Sequence, residues 1–227
     1  MSGTARKYIL QLENMRTKQQ YLKEIGVELW QSKDRPNSIA TQNNVATLGT
    51  IKQEVAACKL CELCKTRSNI VFGTGSPHAD IVFIGEAPGA NEDLQGEPFV
   101  GRAGMLLNNM LKSIGLGRDK VYIANILKCR PPNNRDPLPA EVKLCTPYLQ
   151  QQIAAIKPGL LVAVGRIAAQ FLLNTTESMA KLRGRSYEYG ETKIPLIVTY
   201  HPAYLLRSPG EKKKAYADFL MIAKHLR

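Results

Sequence analysis

Apolar residues along the chain fall into short, nearly continuous runs, separated by longer segments in which they recur at helical spacing. Four of the short runs are predicted to be strands, at residues 80–85, 120–127, 160–165 and 195–200. The segments with helical spacing are predicted to be helices, at residues 48–57, 104–114, 139–156, 166–173 and 212–226. Continuous apolar strands that alternate with helices are typical of a parallel sheet covered on both faces.

This alternation predicts an α/β fold in three layers, α/β/α, around a central four-stranded parallel sheet. The N-terminal part has a different pattern. Residues 4–25 have the spacing of a helix, and residues 35–46 combine Pro, Ser, Asn, Thr and Gln with little periodicity, as in a linker. We therefore expect an N-terminal helical extension with its linker at residues 1–48 and one further domain at residues 49–227.

Glycine-rich and polar residues lie where the predicted strands end. Residues 85–89 follow the first strand, and Asn125, Gly165 and His201 lie at the ends of the next three. Ligands bind at the carboxyl ends of the strands in sheets of this kind. These residues therefore form the expected site.

The chain is basic, with 31 Lys and Arg against 19 Asp and Glu and a net charge of +12. A cationic domain attracts polyanions, of which DNA is the commonest, although charge alone is weak evidence. The longest apolar stretches, residues 159–164 and 194–198, are too short to span a bilayer, and the N-terminus lacks the apolar core of a secretory signal. We expect a cytoplasmic protein, associated with the nucleoid and not with a membrane.

Five cysteines lie at positions that favour metal ligation over disulfides in a reducing cytosol. Three are closely spaced, as Cys58-x2-Cys61-x2-Cys64, and two are wider apart, as Cys129-x15-Cys145. Four thiolates can hold an iron–sulfur cluster or a tetrahedral zinc ion, and spacing alone does not separate the two.

Six motifs in order make residues from about Cys58 to the C-terminus resemble the iron–sulfur uracil-DNA glycosylases known as family 4. The motifs are Cys-Lys-Leu-Cys at 58–61, Val-Phe-Gly-Thr-Gly at 71–75, Gly-Glu-Ala-Pro-Gly at 85–89, Gly-Glu-Pro-Phe-Val-Gly at 96–101, Ala-Asn-Ile-Leu-Lys-Cys-Arg-Pro-Pro at 124–132 and His-Pro-Ala-Tyr-Leu-Leu-Arg at 201–207. The resemblance implies a DNA-repair hydrolase that flips uracil out of single- or double-stranded DNA and cleaves its N-glycosidic bond with water, leaving an abasic site.

The resemblance also implies a [4Fe–4S] cluster, which takes four thiolates and leaves one cysteine over. The family pattern uses the first close pair and the wide pair, which selects Cys58, Cys61, Cys129 and Cys145. Cys64 is then a bystander, although Cys61-x2-Cys64 has equally good spacing. Zinc stays the alternative, and in either case we expect a structural role without a redox step.

Catalysis requires negative charge and a positioned water near the sugar, because the transition state has oxocarbenium character. By resemblance, Glu92 orients the water, Glu86 shapes the pocket beside Gly85, and Asp93 is a less favoured substitute for Glu92. Ala87 stands where other uracil glycosylase families use an acidic residue, so their water-activating group has no direct equivalent here.

Three residues are expected to grip the base. Phe99 offers a flat apolar surface for stacking, and the amide of Asn125 offers a donor and an acceptor that match the O4/N3–H edge of uracil. His201 is expected to donate to uracil O2 as that atom gains charge. Asn134 is expected to support Glu86 or the backbone.

The segment after His201 is predicted to contact DNA. Leu205 or Leu206 would wedge into the gap left by the flipped nucleotide, with one of the two in the core, and Arg207 would hold a phosphate. Arg183 is a further candidate for a phosphate contact.

Other functions fit the sequence less well. A related variant is trapped covalently on uracil-containing DNA through a histidine in an inserted loop, but residues 129–145 contain no His. A non-catalytic, metal-stabilised DNA-binding module would not need Phe99, Asn125 and His201 together. A nucleotide-binding protein would carry the Lys-Ser/Thr of a P-loop, which Gly-Glu-Ala-Pro-Gly lacks.

The family resemblance does not cover residues 1–48. An apolar motif between Tyr21 and Trp30 resembles the N-terminal segment of the psi subunit of bacterial replicative polymerase. Through residues 1–35 the chain would then bind a replisome or repair protein, and packing on its own catalytic domain is the alternative. We expect the protein to be a monomer.

Overall fold

A computed structural model of the chain describes residues 47–226 and contains one sheet of six strands. The strands are β1 (Thr74–Gly75), β2 (Ile81–Gly85), β3 (Tyr122–Asn125), β4 (Leu160–Val164), β5 (Ser186–Tyr189) and β6 (Ile194–Thr199). Their order across the sheet is β1-β3-β2-β4-β6-β5. The helix predicted at residues 4–25 and the linker at 35–46 lie outside the described residues.

The four central strands confirm the predicted parallel sheet. β2 pairs in parallel with β3 and β4, and β4 pairs in parallel with β6. The sheet is mixed, however, because β1 pairs antiparallel with β3 at one edge and β5 pairs antiparallel with β6 at the other. Neither edge strand was predicted: β1 has two residues, and β5 alternates exposed and half-buried positions without an apolar run.

Eight α-helices accompany the strands in the described part of the chain. They are α1 (Leu48–Ala57), α2 (Ala90–Gln95), α3 (Arg102–Lys112), α4 (Pro139–Ile156), α5 (Arg166–Leu172), α6 (Met179–Leu182), α7 (Pro202–Arg207) and α8 (Lys212–Lys224). The five predicted helices are present within a few residues of their predicted bounds. The other three, α2, α6 and α7, have four to six residues, too few to show a helical period.

Helices cover both faces of the sheet, as expected. On one face, Leu107 and Leu111 of α3 and Phe219 of α8 pack on Phe83 and its neighbours in the strands. On the other face, α4 and α5 pack against the alternate strand residues, with Leu149 among those fully buried. Burying side chains of this size contributes about 1.5–3 kcal/mol each, so these two apolar layers account for much of the stability.

A crevice opens at the carboxyl ends of the central strands. After β2 the chain continues to β3 on one side, whereas after β4 it continues to β5 and then β6 on the other. The loops that leave β2 and β4 therefore diverge, which is the topology that creates ligand sites in such sheets. Between residues 47 and 226, no helix is long and apolar enough to cross a membrane.

Candidate active site

A cavity of about 460 Å³ lies in this crevice. The predicted site residues that line it are Glu86, Ala87, Glu92, Phe99, Asn125, Asn134, His201 and Arg207. They come from the ends of β2, β3 and β6 and from the loops that follow, so the sheet topology alone brings together residues more than a hundred positions apart.

Gly85 allows two of these side chains to meet over the end of β2. A Cβ atom at Gly85 would lie 2.4 Å from Asn125 Oδ1 and 2.8 Å from Phe99 Cζ, closer than any side chain permits. Asn125 is 2% exposed and lines the cavity. Its side-chain amide offers both a donor and an acceptor to a ligand there.

Phe99 is held in an unusual conformation. Its φ is +54°, which is rare for a residue other than glycine. The guanidinium of Arg118 donates to the carbonyls of Phe99, at 3.1 Å, and Pro98, at 2.7 Å. Gly104 leaves the room needed, because a Cβ there would overlap the Phe99 carbonyl oxygen. These contacts fix the ring 5.5 Å from that of His201, centroid to centroid.

His201 is a neutral hydrogen-bond donor in this structure. It caps the N-terminus of α7, where its Nδ1 accepts the backbone N–H of Ala203 at 3.1 Å. Burial lowers the pKa of His201 to about 4, with Arg207 lowering it further and Glu92 opposing. Because Nδ1 accepts, the proton of the neutral ring is on Nε2, which can donate to a ligand.

The two glutamates of the cavity differ in their contacts. Glu92 Oε1 accepts the backbone N–H groups of Val100, at 3.0 Å, and Gly101, at 3.1 Å, and so ties α2 to the loop that carries Phe99. Burial raises the pKa of Glu86 to about 7, with Asp136 raising it further and Arg166 opposing. Glu86 therefore titrates near neutrality, whereas Glu92 holds the loop.

Two other predicted polar residues have partners of their own. Asn134 Oδ1 accepts from Arg130 Nε at 2.7 Å, and its support of Glu86 or the backbone stays a prediction. Asp93 is 3% exposed and accepts the backbone N–H of Ser68, at 3.0 Å. That buried contact leaves Asp93 no access to the cavity.

The leucines after His201 have different environments. Leu205 is 1% exposed and belongs to the core, whereas Leu206 is 37% exposed. Burial therefore rules out Leu205 as a wedge and leaves Leu206. Arg207 is exposed on the rim of the cavity.

Arg183 is committed within the protein. Its guanidinium forms an ion pair with Asp218, at 2.7 Å, in which the two side chains are 9% and 1% exposed. It also donates to the carbonyl of Lys214 and lies over the ring of Tyr200. Because the Arg183 side chain is only 9% exposed, the structure does not support its predicted DNA contact.

The thiol pKa values are linked within a set of four cysteines, which are Cys58, Cys61, Cys129 and Cys145. Burial raises the pKa of Cys145 to about 11, with Lys128 opposing and Cys129 and Cys61 adding to the rise. Burial also raises the pKa of Cys129, with Arg67 opposing and Cys61 and Cys58 adding. Cys64, in contrast, adds to the pKa of Cys61 but not to that of Cys129 or Cys145. Within residues 47–226, no three ligating side chains converge as they would around a single metal ion.

A buried lysine that sequence analysis did not single out connects the cysteines to the cavity. The ammonium of Lys128 donates to the Asn125 carbonyl at 2.7 Å and to Gln152 Oε1 at 2.6 Å, and the Lys128 N–H donates to Cys145 Sγ at 3.3 Å. The side chain is 1% exposed. Its position in the apolar run between Asn125 and Cys129 is the signal that could have identified it.

Comparisons with known proteins identify the family of the chain. Residues 72–224 match the uracil DNA glycosylase superfamily. The chain is 48% identical over 185 residues to a type-4 uracil-DNA glycosylase of Archaeoglobus fulgidus, an alignment that covers 78% of this chain and 92% of that protein. It is 48% identical over 183 residues to the type-4 enzyme of Sulfurisphaera tokodaii, with 78% and 83% covered. It is 45% identical over 160 residues to that of Thermotoga maritima, with 70% and 82% covered.

Proposed function

The chain belongs to the uracil DNA glycosylase superfamily and excises uracil from DNA, and we propose that it grips the extruded base between Phe99, Asn125 and His201. It is a DNA-repair hydrolase that acts on N-glycosyl bonds. The observation that carries the proposal is the convergence of these three side chains on one cavity, where burial lowers the pKa of His201 to about 4 and so favours the neutral imidazole.

Each of the three groups has a separate role. Phe99 stacks on the flat face of the base, and the Asn125 amide donates to O4 and accepts from N3–H. His201 donates from Nε2 to O2, where negative charge develops as the glycosidic bond breaks. That hydrogen bond is stronger in the transition state than in the bound substrate, so it lowers the barrier.

Glu86 is the carboxylate that orients the attacking water. It lines the cavity and has no backbone N–H partner among the described residues, whereas Glu92 uses one oxygen to hold the Phe99 loop. Its negative charge also stabilises the oxocarbenium character of the sugar. Glu92, which the resemblance favoured for the water, then acts by fixing the position of Phe99.

Cys58, Cys61, Cys129 and Cys145 hold a [4Fe–4S] cluster. The mutual effects on their thiol pKa values support this set, and four cysteine thiolates are the ligands that such a cluster takes. Zinc stays the alternative. When bound, the cluster ties the segment before β2 to α4 and supplies no redox step.

Leu206 fills the gap left by the flipped nucleotide, and Arg207 holds a phosphate. Both side chains are exposed, and Arg207 also lines the cavity. The replisome or repair partner of residues 1–35 and the monomeric state stay predictions, since those residues lie outside the described part of the chain.

The test is base release from a single-stranded oligonucleotide with one uracil, measured by chromatography. Wild-type protein releases uracil, and Asn125→Asp reduces that rate at least about 100-fold, because a carboxylate repels O4 and cannot donate to it. The same carboxylate accepts from the N4 amine of cytosine, so the preference between the two bases shifts toward cytosine.

The matched control is Asn109→Asp, the same change at an exposed position on α3. It should leave uracil release unchanged. An Asn125→Asp variant with wild-type uracil release would overturn the role of Asn125, and a wild-type protein that releases no uracil would overturn the function itself.

A further inference from the structure

A second groove, of about 590 Å³, adjoins the base cavity. The two share Glu86, His201 and Arg207, so they form a continuous surface around the end of β6. The wall that the base cavity does not use is formed by Tyr200 and Tyr204, on either side of His201, together with Arg166 and Met179. None of these four residues takes part in uracil recognition as described above.

The two tyrosines form an aromatic surface in the groove. Their ring centroids are 5.0 Å apart with an interplanar angle of 43°, and both side chains are half-buried. Each therefore packs on the protein by one part of its surface and leaves another part open to the groove. Exposed faces of this kind are what nucleobases stack on in single-stranded nucleic acids.

Tyr200 is fixed from behind by a buried ion pair. The guanidinium of Arg183 lies 4.4 Å from the centre of the Tyr200 ring, and Asp218 holds that guanidinium at 2.7 Å. A buried ion pair is weak evidence for stability, because desolvation offsets its attraction. Here it determines where Tyr200 lies, which lowers the ordering cost of stacking a base on it.

Charge along the rim of the groove suits a phosphate. Arg166 and Arg207 are both exposed there. The acidic groups that face them are Asp136, 3.2 Å from Arg166, and the half-buried Glu86. Arg207 has no carboxylate within ion-pair distance among the described residues, so its charge is available to a ligand.

We propose that this groove binds the nucleotide next to the extruded uridine, with its base stacked on Tyr204 and Tyr200 and its phosphate against Arg207. The neighbouring nucleotide is the proposed occupant because the groove and the base cavity share Glu86, His201 and Arg207. A strand whose uracil fills the cavity therefore continues across these residues. The inference rests on the proposed function. The inference predicts that single-stranded DNA is the favoured substrate, because its neighbouring base is not held in a duplex.

The test uses three single-stranded oligonucleotides with one uracil each. One is intact, and the others carry a tetrahydrofuran abasic analogue in place of the base on the 5′ or the 3′ side of the uracil. For wild-type protein, deletion of the base that occupies the groove lowers kcat/KM roughly tenfold, mainly through KM. In Tyr204→Ala the intact oligonucleotide is bound more weakly, and deletion of the same base has no further effect. Tyr204→Phe, which keeps the ring, behaves as wild type.

Two controls separate the groove from general damage. Tyr216→Ala removes an exposed tyrosine of α8, outside the groove, and should retain the wild-type response to base deletion. If Tyr204→Ala unfolds, Tyr200→Leu serves in its place. If wild-type protein excises uracil equally well from all three oligonucleotides, the proposed nucleotide site in the groove is wrong, whereas the function stands. The same conclusion follows if base deletion still lowers kcat/KM in Tyr204→Ala. Failure to excise uracil from any of them overturns the function.

Discussion

The base cavity and the cysteine region lie at the two ends of one short segment, from Asn125 to Cys129, yet they are organised in opposite ways. In the cavity, burial by the protein alone lowers the pKa of His201 and so favours the neutral imidazole that the proposed role requires. In the cysteine region, burial raises the pKa of Cys129 and Cys145, so the protein alone favours protonated thiols. Thiolate ligation there requires the positive charge of a metal.

This difference bears on how each region affects stability. The cavity is formed without its ligand, although Phe99 also packs in the apolar core and His201 caps α7. Under the proposed ligation, a cluster completes the cysteine region, so loss of one ligand should affect the whole domain. Lys128 belongs to both, because its ammonium binds the Asn125 carbonyl and its N–H binds Cys145 Sγ.

The largest expected effect is on stability, in Cys129→Ser. The hydroxyl does not replace the thiolate, and metal-binding free energy is lost from folding. We expect loss of iron and of visible absorbance, with the thermal midpoint lowered by roughly 10 °C or more, about 3–5 kcal/mol. The measurement is iron content together with calorimetry. Cys64→Ser is the matched control and keeps both properties; if it loses the iron, the four-cysteine set is wrong.

The next effect is on catalysis, in His201→Ala. Removing a donor that meets developing charge lowers kcat by about 10²–10³-fold, and loss of the α7 cap lowers the thermal midpoint by only roughly 2–4 °C. Single-turnover uracil release and calorimetry measure the two. Since burial holds the His201 pKa at about 4, the wild-type rate shows no histidine titration between about pH 6 and 8. An inflection there that disappears in His201→Ala would contradict a neutral donor.

Lys128→Met sharpens the comparison, because it changes both regions at once. It leaves the Asn125 carbonyl and Gln152 Oε1 without their buried donor, which costs about 1–3 kcal/mol and frees the end of β3. We expect a lower thermal midpoint and roughly tenfold slower uracil release. Tyr122→Phe is the control, since it removes a hydroxyl that contacts Gln152 and does not touch Asn125. Equal losses of activity in both variants would show that Lys128 acts through stability alone.

The smallest effect is the pH dependence that Glu86 imposes. Its pKa of about 7 means that the carboxylate needed to orient water is lost as pH falls through 7, so the rate of uracil release falls with it. Because the folded-state pKa exceeds the ordinary 4.5, Glu86 contributes stability fully below pH 4.5 and loses it as pH rises through 7. Glu86→Gln should abolish the inflection in rate and raise stability at pH 8 relative to wild type. If Glu86→Gln keeps the wild-type pH–rate profile, a group other than Glu86 causes the inflection.

The sequence predicts the central sheet and most of the cavity for the same reason. Parallel strands buried on both faces appear as continuous apolar runs, and their carboxyl ends meet at one edge of the sheet. Asn125 and His201 follow such runs directly, and the motif around Phe99 places it beside them, so the three residues could be assigned to one site from the sequence.

What could not be predicted depends on contacts distant in the chain. The edge strands β1 and β5 have no apolar run of their own and form only by pairing with β3 and β6. Arg183 has the sequence context of a surface charge, and only the fold brings Asp218, 35 residues later, beside it. Leu205 and Leu206 are equivalent in sequence, and the orientation of α7 alone decides which is buried.

The central claim is that the released base lies between Phe99, Asn125 and His201. Diffraction from crystals of the wild-type protein grown with millimolar uracil tests it most directly. The account predicts uracil stacked on Phe99, with O4 and N3 against the Asn125 amide and O2 within hydrogen-bond distance of His201 Nε2. Uracil bound only in the groove of Tyr200 and Tyr204, or turned so that neither Asn125 nor His201 contacts it, would contradict the account.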